Sequence, residues 1–182
     1  MSARIVLLPL VVALALLAAG CGKSSKPETA SEWASGFCSS VTTWKESIQS
    51  AVSPLKSGNI TKDSVQTAFN DFKSSTDTFV KSIKGLGKPN TNDGDQAQQD
   101  IKSLSTQIDD GVDSIKSTVK GITNVTTALA AATSVSSTLS SMTGSVQQTF
   151  QSLQQLDAKG ELTTAFQNAD SCKTLKASAN SS

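Results

Sequence analysis

Histidine and tyrosine are both missing from this chain, and arginine occurs once, at Arg4. The first absence removes the side chain that titrates nearest neutrality and the commonest transition-metal ligand; the second removes a phenolic acid. A serine nucleophile would have only lysine as its activating base, and the sequence has no glycine-framed serine elbow. Asp109 and Asp110 are adjacent, so on a helix they project in different directions rather than facing each other as a glycosidase pair must. No glycine loop of the phosphate-cradling kind occurs either. These absences lead to the expectation of a protein that is not an enzyme and holds no metal or dissociable cofactor. Charge excess is missing too, with 16 basic residues against 15 acidic ones. Sequence-independent binding to DNA or RNA needs a basic surface that releases counterions from phosphates, so nucleic acid is not expected as a partner.

Long apolar runs are scarce. The one that exists, Ile5 to Ala19, follows Arg4 and is interrupted by Pro9. A bilayer core needs about 20 predominantly apolar residues, so the run is too short for a span and has the layout of a secretory signal instead. It closes on Leu17-Ala18-Ala19-Gly20-Cys21, small residues leading directly to a thiol. This segment resembles a bacterial lipobox, departing from it at Ala18, where leucine is commoner. The resemblance implies cleavage by signal peptidase II between Gly20 and Cys21, a diacylglyceryl thioether on Cys21, and a location on the outer face of a bacterial cell membrane. Residues 1–20 are then a lipoprotein signal peptide and 21–30 a lipidated N-terminus with its tether. Gly22 to Ala30 is small, polar and broken by Pro27, and a coil of about nine such residues spans roughly 15 to 18 Å.

Aromatic side chains make up only 4% of the sequence, so apolar material must be used economically. Long amphipathic helices with narrow apolar seams do this, and the spacing predicts them. Trp33, Phe37, Val41, Trp44, Ile48, Val52 and Leu55 recur at steps of three and four, which is one helical face. Both tryptophans fall on it and read as core anchors. Ser31 is the expected N-cap of this helix, and Thr61 that of the next. The second seam is Val65, Phe69, Phe72, Thr76, Phe79, Ile83 and Leu86, ended by Gly85, Gly87 and Pro89. The loop Asn90-Thr91-Asn92-Asp93-Gly94-Asp95 has the wrong spacing for an EF-hand, and capping of the third helix by Asn92 or Asp93 accounts for it better. The third seam runs from Ile101 through Ile108, Ile115 and Ile122 to Val125 and Leu129, and its early aspartates are placed to face the lysines of the second helix.

Between Lys120 and Asp157 no residue is charged, yet serine, threonine and glutamine are too frequent there for a bilayer span. The seam resumes at Val135, Leu139, Met142, Val146, Phe150, Leu153 and Leu156 after an irregular step at Ala132-Thr133-Ser134, which is either a turn or a stutter in one long helix, and the turn is the favoured reading. A last segment carries Leu162, Ala165, Phe166, Ala169, Cys172 and Leu175 on one side. The expected fold is thus an all-α, antiparallel bundle of four or five amphipathic helices over 31–176, closed by one disulfide, with a disordered polar tail at 177–182.

With Cys21 assigned to the lipobox, Cys38 and Cys172 remain as a pair at opposite ends of the domain. In an exported chain such a pair reads as a disulfide. A zinc site competes, but two thiols without histidine would need carboxylates to complete a tetrahedral shell. The segments Trp33-Ala34-Ser35-Gly36-Phe37-Cys38, with Trp44, and Ala169-Asp170-Ser171-Cys172 are similar to small helical lipoproteins of uncharacterised function from actinobacteria. That resemblance implies a helical fold and a Cys38–Cys172 bond, and it implies no activity.

The functional expectation is a membrane-anchored, non-catalytic binding or scaffolding module of the cell envelope, or alternatively a carrier or sensor of a small apolar ligand held between helices. The uncharged stretch is the candidate surface. A cavity lined by Val125, Leu129, Leu139 and Met142 would favour the carrier, and a filled core beside an exposed apolar strip would favour a protein partner.

Overall fold

A computed structural model of the chain describes residues 29–56, 60–156 and 160–179. Gly20 and Cys21 lie outside the described residues, as do most of the tether and the end of the expected tail. The chain is all-α, with six helices among the described residues: α1 (Ala30–Lys56), α2 (Lys62–Gly85), α3 (Gly94–Lys120), α4 (Val125–Gln155), α5 (Glu161–Asn168) and α6 (Asp170–Ala179).

The helix boundaries follow local chemistry. Thr29, rather than Ser31, caps α1: its Oγ1 accepts from the Glu32 amide at 3.2 Å, and the Glu32 carboxylate accepts from the Thr29 amide at 3.1 Å. This reciprocal pair satisfies two amides that the first turn leaves open. Thr61 and Ser64 do the same for α2 at 3.1 and 2.9 Å, as the sequence led us to expect. Asp93 is the N-cap residue of α3, but its side chain makes no capping hydrogen bond.

Three expectations about helix limits are corrected. The turn predicted at Ala132-Thr133-Ser134 does not exist, because α4 is continuous from Val125 to Gln155. The break comes earlier, at 121–124, inside the span read as one third helix. There the Gly121 amide closes α3 onto the Thr118 carbonyl at 3.1 Å. Asn124 Oδ1 then accepts from the Thr127 amide at 2.9 Å while Thr127 Oγ1 accepts from the Asn124 amide at 3.0 Å. A stop and a start side by side outweigh a change of seam spacing that offers neither glycine nor proline to end a helix. The final segment is also divided, into α5 and α6, by an extended Ala169 with ψ of 123°. Helix α6 runs on to Ala179, past the Lys176 limit expected for the domain.

The long helices alternate in direction. Trp33 Nε1 donates to the Gly87 carbonyl at 3.1 Å and Trp44 Nε1 to Thr76 Oγ1 at 2.9 Å, so partner numbers fall as α1 numbers rise. Across α3 and α4, Ser152 Oγ donates to Asp100 at 2.9 Å, and Gly111 lies against Met142, again with opposed numbering. Lys84 of α2 and Asp109 of α3 pair at 3.6 Å, as the facing charges suggested, although exposed pairs of this kind contribute little.

Helices pack in the order α1, α2, α3, α4, and α5 touches both α1 and α4 to close the ring. The closure is confined to one end. There Phe166 of α5 meets Phe37 of α1 and Phe150 of α4 edge-on, with centroids 6.1 and 5.0 Å apart. Trp33, Phe37, Leu153, Leu162 and Phe166 are fully buried at this end, each removal from water contributing about 1.5–3 kcal/mol. The sulfurs of Cys38 and Cys172 lie 2.03 Å apart, at disulfide distance, with the two residues fully buried and 134 positions apart in sequence.

Candidate functional site

At the opposite end α5 has no counterpart, and α1 and α4 stand apart. The space between them is an apolar groove of about 390 Å³. Its walls are Val52 and Leu55 of α1, Val65, Phe69 and Phe72 of α2, Ile115 and Val119 of α3, and the first half of α4. Four helices thus contribute side chains from the seams that, at the aromatic end, form a filled core.

The groove exists because of what α4 presents to it. Its inward positions near the turn are Ala128, Ala131 and Ala132, followed by Val135 and Leu139. Alanine cannot fill the width that Phe150 and Phe166 fill at the far end, so the helices are held apart there and left unbridged here. Ser136 is the one polar residue of the lining. Ile122, Ala128 and Ala131 form a small second cluster, backed by Ile60 and Val65, which seals the end of the groove near the α3–α4 turn.

The four residues expected to line a cavity are separated by the structure. Leu139 is in the lining. Met142 is not: it is 2% exposed and packed into the main core against Gly111, one turn further along a helix whose inward face has by then become core. Val125 and Leu129 also fall outside the lining and are the exposed large apolar side chains, at 67% and 58%. At i and i+4 they share a face with Ala132 and Ser136, so they extend the apolar wall outward from the groove as a rim.

Val52, Leu55, Phe69 and Ile115 were legible only as seam residues. The signal that distinguishes them is the run of alanines facing them across the bundle, a deficit of volume at inward positions that seam spacing alone does not reveal.

No family model, curated protein or solved structure matches this chain. The site is therefore read from its own chemistry. Among the described residues no three His, Cys, Asp or Glu side chains are grouped so as to hold a metal ion, and no helix is long and apolar enough to cross a membrane. A second, shallow trough over the α1–α2 seam is lined by hydroxyls, including Ser40, Thr43, Ser47, Ser75 and Thr78. Ser40, Ser47, Ser75 and Thr78 donate back to carbonyls of their own helices at 2.8 to 2.9 Å, so these four hydroxyls are committed within the bundle, and the trough is the more open of the two hollows. The groove is the candidate site.

Proposed function

We propose that the protein is a lipid-anchored, extracytoplasmic, non-catalytic module that carries or senses a small apolar ligand in the groove between α1 and α4. The observation that carries this reading is the groove itself: about 390 Å³, walled by aliphatic and aromatic side chains with one hydroxyl, at the end of the bundle opposite the packed aromatic cluster. Ligand sites of this kind span roughly 300–1,000 Å³ and are mostly apolar. The anchor part of the proposal rests on the lipobox at Leu17–Cys21, and its test is metabolic palmitate labelling. Cys21→Ser should abolish label and leave unprocessed precursor, and undiminished labelling would remove the membrane from the proposal.

The groove part is tested with an environment-sensitive apolar dye, which should bind saturably and be excluded by Ala132→Phe. Dye that binds the variant equally well would show that its site is elsewhere. A protein partner is the second reading, favoured by the exposure of Val125 and Leu129. For that role, Leu129→Lys should abolish association while leaving dye binding unchanged.

A further inference from the structure

Building on the apolar-ligand reading above, we infer that the groove takes a medium-chain fatty acid, its chain along α4 and its carboxylate at the lysines of the α3–α4 end. Three observations support this occupant. The first is shape. The lining on α4 extends from Ala128 to Leu139, about 16 Å of helix at the usual rise per residue. The groove is therefore elongated along α4, a shape that suits an extended polymethylene chain.

The second observation is charge. Lys62 stands three residues before the lining residue Val65, and Lys116 and Lys120 directly follow the lining residues Ile115 and Val119. All three lysines are exposed, and none belongs to the ion pairs formed among the described residues. The acids of the same neighbourhood are Asp63 and Asp113, so the balance there is positive while α4 contributes no charge at all. An anionic head is favoured at such an end and a cationic one disfavoured. The third observation is polarity inside. With Ser136 the sole hydroxyl of the lining, a second polar group along the ligand would be buried without a partner, which is costly. One head and an unbroken chain satisfy the whole site.

The test is calorimetric titration of the full chain with dodecanoate and dodecyltrimethylammonium below their micelle concentrations and with dodecanol below its solubility limit. Dodecanoate should bind about five-fold more tightly than dodecanol, which is the upper end of what one exposed charge pair supplies, and the cationic amphiphile should bind most weakly. Lys62→Ala combined with Lys120→Ala should reduce dodecanoate to the affinity of dodecanol without changing that of dodecanol. Ala132→Phe should weaken all three. Equal affinities for the three heads in the parent protein would overturn the fatty acid while leaving an apolar site. Absence of saturable binding by any of them would overturn both, and dodecanoate affinity undisturbed by Ala132→Phe would place its site outside the groove.

Discussion

Thr76 is a fully buried polar residue in the middle of α2, and its hydroxyl accepts the indole N–H of Trp44 at 2.9 Å. Trp44 also stacks on Phe79 with centroids 4.6 Å apart, so the ring cannot turn to find water. Thr76→Val keeps the shape and removes the acceptor. Leaving a buried donor unpaired costs about 1–3 kcal/mol, and urea unfolding should register a loss of that order. Trp44→Phe in the same background should recover part of it. At the surface, the Lys173 ammonium, 2.8 Å away, holds the Asp170 carboxyl below its ordinary 3.8, first by hydrogen bonding and then by charge. A carboxylate lowered in the folded state contributes stability that is present above its unfolded value and is lost as pH falls through the folded one. A carboxyl NMR titration should therefore place the Asp170 midpoint below 3.8, and Lys173→Ala should raise it.

Among the elements, α4 separates what sequence could tell from what it could not. Continuity through Ala132-Thr133-Ser134 predicts that Thr133→Pro, which removes an interior amide and clashes with the preceding turn, costs about 3 kcal/mol or more. In a turn the same change would be close to neutral, so the thermal midpoint of this variant decides between the two. The seams of α1 and α2, the capping threonine at Thr61 and the terminal cysteine pair were all legible, because each depends on spacing or on chemistry within a few residues. The α3–α4 break was misplaced because the irregular seam at 132–134 was weighed, whereas the stop at Gly121 and the cap at Asn124 were not read as a helix boundary. The backbone obeyed the caps. The groove was legible only in part, through Leu139, since an empty space is a property of four elements together. Only the uncharged stretch and its alanines hinted at where it would form.

For the whole molecule, the two ends differ in kind. The aromatic end is fastened by a bridge between α1 and α6 that encloses 134 positions of sequence. Closing so long a loop is worth about 4–5 kcal/mol in the chain-entropy account, with measured values often lower, so paired Cys38→Ser and Cys172→Ser should lower the urea midpoint and make it insensitive to reductant. The grooved end lies along α1 from Thr29, and 27 residues of helix measure about 40 Å. If Cys21 holds the lipid, as proposed, the aromatic end is the one nearest the attachment point in sequence. A dye on Ser31→Cys should then be quenched by spin-labelled lipid, and one on Thr126→Cys should not. The closure by α5 has a further consequence for how the chain matures. Trp33, Phe37 and Cys38 emerge first, but their covering partners Leu162, Phe166 and Cys172 arrive last. The early helices therefore lack their lid throughout synthesis, and the knot cannot be tied until the final segment has followed. If the chain is exported as proposed above, that order of events suits a polypeptide threaded through a translocation channel before it folds.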